Sequence, residues 1–188
     1  SYFKVADNDD ARAIRENVTF TADYSKLKGA SLVVEAATED LPIKQKIFAQ
    51  LEELVGADTI LTSNSSHLEP ERIFERAKRP ERCLVTHYFF PAERNPALEV
   101  VPHAGTQAQV TRFLMQFFET IGKAPIRVGS RYGYAIDPIF EGLFLAALLM
   151  HDDGLGTPPE IDAAAMEALG QSVGPFTAMN LAGGNPLT

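Results

Sequence analysis

Hydrophobic and polar positions divide most of the chain into alternating strands and helices. Short apolar runs bounded by polar residues are typical of buried strands, and apolar residues three or four positions apart are typical of helices. Strands are predicted at Leu32–Ala37, Thr59–Thr62, Cys83–His87, Leu98–Val101 and Ile126–Val128. Helices are predicted from Pro42 to Val55, around Glu69–Lys78, and from a Thr106/Gln109 capping box to Ile121. This alternation predicts a mostly parallel α/β sheet.

The pattern changes after Gly129. The predicted helix from Ile139 to Met150 is apolar on nearly every side, which favours burial against another domain or subunit. A Thr157/Glu160 capping box opens a further helix over Ile161–Leu169, and another is predicted over Thr177–Ala182. We therefore predict a partial dinucleotide-binding part over residues 1–129 and a helical part over residues 130–188.

Composition narrows the class of protein. Of the 188 residues, 45% are hydrophobic and 22% are charged, which is typical of a globular chain. A net charge of −8 argues against nucleic acid or an anionic membrane as a partner. The longest apolar run, Leu143–Met150, is far shorter than the roughly 20 residues of a membrane span. A single cysteine excludes internal disulfides and suits the reducing cytoplasm.

His87 and Glu99 are the strongest candidates for chemistry. His87 ends a predicted parallel strand, where ligands gather in open α/β sheets, and Glu99 is a lone carboxylate within the next strand. A carboxylate in an apolar strand is costly unless it is paired, and an imidazole is a partner that it would orient and make more basic. The pattern favours a general base with its orienting acid. A structural histidine and a solvent-facing acid are the alternative interpretation.

Two other polar groups are weaker candidates. The loop from Ser63 to Ser66 follows a predicted strand at the same end of the sheet as His87, although Ser/Asn clusters are usually turns. A hydroxyl there could donate to a substrate oxygen or to a cofactor ribose. Glu39 and Lys44 flank the start of a helix, where ordinary solvation of the first turn is favoured over cofactor contacts when these residues are considered alone.

Several common motifs do not occur in the sequence. Without H-E-x-x-H, paired C-x-x-C or EF-hand spacing, no metal site is expected. The absence of G-x-S-x-G argues against a serine hydrolase. No G-x-G-x-x-G follows a predicted strand, so the usual cradle for a dinucleotide pyrophosphate is not in this chain.

Several segments, each weak alone, together resemble the L-3-hydroxyacyl-CoA dehydrogenase family over nearly the whole chain. They are Val33-Val34-Glu35-Ala36 with Glu39 and Lys44, Ser63-Asn64-Ser65-Ser66, His87-Tyr88-Phe89, Leu98-Glu99-Val100, Gly133-Tyr134-Ala135-Ile136-Asp137, and Gly174-Pro175-Phe176. The resemblance implies the second half of a Rossmann-type doubly wound sheet followed by an all-helical domain. It also implies a cytoplasmic enzyme of fatty acid β-oxidation that oxidises the secondary alcohol of a 3-hydroxyacyl-CoA to the ketone with NAD.

The resemblance also implies roles for individual residues. His87 would take the proton of the substrate hydroxyl, Glu99 would hold its imidazole, and Ser66 would hydrogen-bond the reacting oxygen. Asp137 and Phe90 would contact the substrate. The expected cofactor contacts are Ala37, Glu39, Lys44 and Asn64. The helical part would cover the acyl chain and form a homodimer contact.

This chain departs from the family in three ways. Phe90 and Asp137 stand where the family has asparagine, and the exchange at Asp137 replaces amide donors with a negative charge near the reacting centre. The family's N-terminal glycine-loop segment and the end of its helical domain are also missing. The inner edge of strand Leu32–Ala37 would then be bare and prone to aggregation, so we expect a longer natural chain or a partner subunit that covers it.

Two alternatives to the acyl-CoA reaction follow from these departures. One is a relative that acts on another alcohol, such as a sugar acid or a pyridine alcohol, which the exchanges at Phe90 and Asp137 favour. The other is a degenerate, non-catalytic oligomerisation module, which the missing glycine loop favours and the intact set of His87, Glu99 and Ser66 opposes. Even if the whole protein is a 3-hydroxyacyl-CoA dehydrogenase, the 188 residues alone could be inactive.

Overall fold

The predicted strands form one five-stranded sheet in the order β1-β2-β3-β4-β5 in the computed structural model, which describes residues 15–182 and 184. The strands are β1 (Leu32–Glu35), β2 (Ile60–Ser63), β3 (Cys83–Tyr88), β4 (Ala97–Pro102) and β5 (Ala124–Arg127). β1, β2 and β3 are parallel, β4 is antiparallel to β3, and β5 is parallel to β4. The prediction of a mostly parallel α/β sheet is confirmed. β4 reverses because the segment 89–96 is too short for a crossover helix.

Six α-helices occur between residues 17 and 182. They are α1 (Leu41–Leu54), α2 (Pro70–Ile73), α3 (Ala108–Thr120), α4 (Asp137–Asp152), α5 (Pro158–Leu169) and α6 (Pro175–Ala182), with 3₁₀ turns at Tyr24–Gly29 and Pro80–Arg82. The capping box of Thr157 and Glu160 is confirmed, and Gly170 ends α5 with a φ of 64°. No helix in this part of the chain combines the length and apolarity needed to cross a membrane.

Two predicted helix boundaries were wrong. The helix expected around Glu69–Lys78 is limited to α2, because the Glu52 carboxylate accepts hydrogen bonds from Lys78 N and Arg79 N and holds that segment in a non-helical turn. The Thr106/Gln109 capping box does not form. The Thr106 hydroxyl instead donates to Cys83 O and accepts from His103 N, and α3 begins one residue later.

Two apolar cores cover the faces of the sheet. On one face, α1 and α2 pack on β2, β3 and β4 through Phe48, Leu51, Leu61, Ile73, Val85 and Val101. On the other face, α3 packs through Val110, Leu114 and Phe118. Phe113 and Ile121, in and just past α3, remain exposed. Within the described residues, β1 is an edge strand that pairs with β2 alone.

The helices α4, α5 and α6 form a third core around Ala147, Ile161, Phe176 and Met179. Ala147 is the buried residue of α4, whereas Ile139, Leu145 and Leu149 are exposed. The predicted burial of this helix against another domain or subunit therefore stays a prediction. The division into parts 1–129 and 130–188 also stays a prediction. Residues 1–14, 183 and 185–188 of these parts lie outside the described residues.

Candidate active site

His87 and Glu99 are cross-strand neighbours in the antiparallel β3–β4 pair. This register puts both side chains on one face, where His87 Nδ1 lies 3.0 Å from Glu99 Oε2. The side chains are 6% and 0% exposed, so the carboxylate depends on its protein partners for compensation. An Nδ1–H that donates to Glu99 leaves Nε2, on the other side of the ring, as the basic nitrogen. The arrangement suits proton transfer at Nε2.

The second oxygen of Glu99 binds a segment distant in sequence. Oε1 accepts hydrogen bonds from Ala135 N and Ile136 N, both at 3.0 Å. The turn that directs these amides contains Gly133 with a φ of 68° and Tyr134 with a φ of 50°, a backbone region that favours glycine. Sequence reasoning missed this link. Its signal was the glycine-containing turn just before α4.

Aromatic rings enclose the imidazole. The ring of Phe89 lies 4.5 Å from that of His87, and the ring of Tyr134 lies 5.8 Å away, centroid to centroid. Tyr134 is fully buried and donates to Leu68 O at 2.7 Å. Burial raises the pKa of the Tyr134 phenol, so it stays a protonated donor at neutral pH. Water therefore has little access to the Glu99 side of the imidazole.

The loop after β2 is held by Glu39. Its Oε1 accepts from Ser65 Oγ and, at 3.1 Å each, from Ser66 N and His67 N. Ser65 Oγ in turn accepts from Leu68 N at 3.0 Å. One carboxylate oxygen thus orders the loop that carries Ser66. The sequence suggested a cofactor contact for Glu39, and this organising role was missed.

Asn64 connects the same loop to its neighbouring strands. Its backbone N–H donates to Glu35 O at 2.7 Å, and its side-chain oxygen accepts from Tyr88 N at 2.9 Å. Because Tyr88 directly follows His87, this contact places the serine loop beside the end of β3.

A buried ion pair lies below this loop. Lys44 Nζ is 2.8 Å from Glu35 Oε2, which also accepts from Ser63 Oγ at 2.7 Å. Burial acts to raise the pKa of Glu35, but the Lys44 ammonium, the Ser63 hydroxyl and the Ala37 N–H outweigh it and lower that pKa. Glu35 is therefore ionised at neutral pH.

Four residues expected to contact the cofactor surround one small cavity. It has a volume of about 210 Å³ and is lined by Ala36, Ala37, Thr38, Glu39, Lys44 and Asn64. Carboxylate, ammonium and amide groups at the carboxyl ends of parallel strands fit the hydroxyl groups of a ribose. The lining therefore fits part of a dinucleotide, whereas a glycine-rich pyrophosphate turn is not present in the printed sequence.

A second cavity of about 380 Å³ lies between the serine loop and the helices. Ser66 and Asp137 line it together with His67, Phe140, Glu141, Phe144, Met179, Ala182 and Gly184. Burial raises the pKa of Asp137, as do the nearby carboxylates of Glu99 and Glu141, while His87 and His67 act in the opposite direction. The structure thus brings Ser66 and Asp137 together. It adds His67 and Glu141, which sequence reasoning missed.

Phe90 lies apart from this cavity. Its side chain is 78% exposed beyond the end of β3 and is not in the cavity lining. Its substrate contact stays a prediction. Among residues 15–182 and 184, no group of three or more His, Cys, Asp or Glu side chains is arranged to hold a metal ion.

A Rossmann-type sheet with a histidine–glutamate pair beside the carboxyl end of β3 is an arrangement that suits a dehydrogenase. The model of the family described as 3-hydroxyacyl-CoA dehydrogenase, NAD binding domain, matches residues 3–131. The chain belongs to the 3-hydroxyacyl-CoA dehydrogenase family. This match confirms the predicted family and its cofactor NAD.

Known relatives include a multifunctional β-oxidation protein and a 3-hydroxybutyryl-CoA dehydrogenase. The chain is 35% identical over 161 residues to the glyoxysomal fatty acid beta-oxidation multifunctional protein MFP-a of Brassica napus, covering 86% of this chain and 22% of that protein. It superposes on (S)-3-hydroxybutyryl-CoA dehydrogenase PaaH1 from Ralstonia eutropha with a TM-score of 0.85 and 25% identity, covering 92% of this chain and 61% of that one.

A third relative acts on a pyridine compound. For 5-formyl-3-hydroxy-2-methylpyridine 4-carboxylic acid 5-dehydrogenase, an NAD⁺-dependent dismutase, the TM-score is 0.78 with 25% identity, over 87% of this chain and 54% of that one. The chain therefore spans less than two thirds of each of these three relatives.

Proposed function

We propose that the protein carrying this chain is an NAD-dependent dehydrogenase that interconverts the secondary alcohol of a 3-hydroxyacyl-CoA and the corresponding ketone. The observation that carries the proposal is the buried 3.0 Å contact between His87 Nδ1 and Glu99 Oε2 in a chain of this family. A base that is oriented by an acid and shielded from water is what alcohol oxidation requires. The relative from Brassica napus supports a place in fatty acid β-oxidation.

Proton transfer is assigned to His87. Its Nε2 accepts the hydroxyl proton of the substrate, and Glu99 stabilises the imidazolium that forms. The Ser66 hydroxyl donates a hydrogen bond to the reacting oxygen. A bound NAD would supply the acceptor for the hydride of the carbon that bears the hydroxyl, so the alcohol would lose one proton and one hydride and become a ketone.

The cofactor is assigned to the cavity beside β1 and β2. Glu39, Lys44 and Asn64 offer polar groups to the ribose and nicotinamide side, with Ala37 allowing close approach. The Lys44 ammonium is fixed by Glu35, so it serves as a preorganised charge. No assignment is made for the pyrophosphate.

The helical part, residues 130–188, is assigned to covering the acyl chain and to forming a homodimer. The exposed apolar side chains of α4, among them Ile139, Leu145 and Leu149, support a subunit contact. Residues 1–129 are assigned to part of the dinucleotide-binding domain, and the cytoplasm remains the proposed location.

A relative that acts on another alcohol is the second candidate. The observation that favours it is Asp137, a carboxylate in the cavity shared with Ser66, where the resemblance implies an amide. The dehydrogenase named for a pyridine carboxylic acid supports this candidate, because its structure is similar and its name gives no acyl-CoA. Phe90, the other departure from the family pattern, contributes nothing to this cavity.

The reaction is tested with His87→Ala in the natural protein. We expect NADH formation from 3-hydroxybutyryl-CoA to be abolished, while NAD affinity measured by calorimetry stays nearly unchanged. His151→Gln, a histidine exchange at the far end of α4, is the matched control and should keep full turnover. Turnover that survives in His87→Ala would refute the assignment of the base.

A further inference from the structure

The cavity beside Ser66 holds two carboxylates and one imidazole. His67 Nε2 lies 3.7 Å from Asp137 Oδ2 and 3.8 Å from Glu141 Oε1. One imidazole carries at most one positive charge, so it cannot neutralise both acids. With both acids ionised, the group therefore has a net negative charge in either protonation state of His67.

We propose that Asp137 is a specificity-determining residue that makes the site accept neutral acyl derivatives of 3-hydroxy acids and reject the free carboxylates. The inference rests on the proposed function, because it takes Ser66 to bind the reacting oxygen. Ser66 and Asp137 line the same cavity, so the acyl group of a substrate held by Ser66 lies in the field of Asp137.

The position of Asp137 makes its charge effective. Its side chain is 19% exposed, compared with 56% for Glu141, so water screens the Asp137 charge less. Burial is the main cause that raises the pKa of Asp137, and Glu99 and Glu141 act in the same direction, against His87 and His67. A substrate carboxylate would add a second anion next to Asp137, whose own charge is already disfavoured by burial. A neutral thioester or amide adds none.

The rest of the cavity supports the same selection. Phe140, Phe144 and Met179 provide apolar walls that suit a neutral acyl body. His67 is the basic group contributed to the lining, and it is already engaged by both acids. No arginine or lysine of the described chain lines this cavity to receive a carboxylate. This argues against a sugar acid, or any alcohol with a carboxylate beside the hydroxyl carbon.

Two isosteric ligands separate charge from shape. 3-Hydroxybutyramide has a neutral amide where 3-hydroxybutyrate has an anionic carboxylate, and the rest of the two molecules is the same. Their affinities for the natural protein would be measured by calorimetry in the presence of NADH, so that no hydride transfer occurs. We expect the amide to bind at least about tenfold more tightly than the acid. One poorly screened repulsion between two carboxylates is large enough to cause this difference.

The effect should follow the charge at Asp137. Asp137→Asn should reduce the preference for the amide about tenfold, and Glu141→Gln should reduce it less, because Glu141 is better solvated. Asp153→Asn, an exposed acid just past the other end of α4, changes the net charge equally and should leave the preference intact. If Asp137→Asn does not fold, Glu141→Gln alone tests the proposal: a reduced preference for the amide supports it, and an unchanged preference contradicts it.

The outcomes separate this inference from the proposed reaction. Equal affinities in the natural protein, or a full preference retained in both Asp137→Asn and Glu141→Gln, would overturn the charge selection. A preference that depends on Asp137 in a protein that turns over no 3-hydroxyacyl-CoA would support the charge selection and refute the proposed reaction.

Discussion

Lys44 and Glu35 form an ion pair in which Nζ lies 2.8 Å from Oε2 and the two side chains are 2% and 3% exposed. The pair joins α1 to the end of β1, below the cavity proposed for the cofactor. Burying two charges is costly, so such pairs seldom add much net stability, but removal of one partner leaves an uncompensated charge.

Lys44→Met should therefore be strongly destabilising. We expect the free energy of unfolding to fall by about 3–5 kcal/mol, since Glu35 loses its cation in a buried site. The double variant Lys44→Met/Glu35→Leu removes both charges and should recover much of the loss. Urea denaturation followed by circular dichroism measures both variants. A loss of less than about 1 kcal/mol in Lys44→Met would contradict the importance of the pair.

Stability should also depend on pH through Glu35. Burial alone would raise its pKa, yet Lys44, Ser63 and Ala37 N–H lower it below the ordinary value. Its contribution is then complete above the unfolded-state pKa of about 4.3 and is lost as the pH falls through the lower folded-state pKa. Denaturation curves between about pH 6 and 3 should show a smaller acid loss in Glu35→Gln than in the natural chain. Identical pH slopes would argue against this assignment.

Gly174 should not tolerate a side chain. A Cβ at this position would lie 2.3 Å from Asp162 Cγ, and Asp162 accepts hydrogen bonds from Phe176 N and Thr177 N at the start of α6. We expect Gly174→Ala to destabilise the protein by about 2 kcal/mol or more, through overpacking and loss of this cap. Gly142→Ala is the matched control, since open space surrounds it within α4, and it should be neutral or stabilising by up to about 1 kcal/mol. Thermal melts compare the two, and equal melting temperatures would refute the clash.

Glu39 should act mainly through the serine loop. Glu39→Ala removes the acceptor of Ser66 N and His67 N, and we expect kcat to fall about ten- to hundredfold because Ser66 loses its position. Glu39→Gln keeps an acceptor oxygen and should restore most of the rate. Asp40→Ala, which removes the N-cap of α1, should cost about 1 kcal/mol of stability and leave kcat unchanged. An increase in the KM for NAD with an unchanged kcat would contradict the loop-positioning role and leave Glu39 with its proposed cofactor contact alone.

Cys83 should resist alkylation in the folded protein. Burial raises the pKa of its thiol to about 12, so almost no thiolate is present at neutral pH. Iodoacetamide at pH 8 should leave the native chain unmodified by mass spectrometry and should label it fully in urea. Rapid labelling of the native chain would contradict the burial of Cys83.

The His87–Glu99 pair could be predicted because both residues interrupt apolar strands that are close in sequence. An antiparallel register then makes them neighbours, although the sequence alone did not specify that register. The alternation of strands and helices was predicted for the same reason, since period and length are local signals. These parts of the fold depend on few distant partners.

Features that depend on distant partners were not predicted. Glu99 Oε1 bonds to Ala135 N and Ile136 N, and the Glu39 carboxylate orders a loop more than twenty residues away. The Thr106 hydroxyl was wrongly assigned to a helix cap because Cys83 O, on another element, is its partner. A polar side chain of this kind has several feasible partners, and only the assembled fold selects one.

The divided carboxylate of Glu99 has a mechanical consequence. One oxygen orients the imidazole, while the other accepts hydrogen bonds from the backbone that leads into α4. Glu99 therefore links the sheet to the helices. A displacement of the backbone at the start of α4 would therefore move the Glu99 carboxylate and the imidazole that it orients. The orientation of the base is thus tied to the helical part of the chain as well as to the sheet.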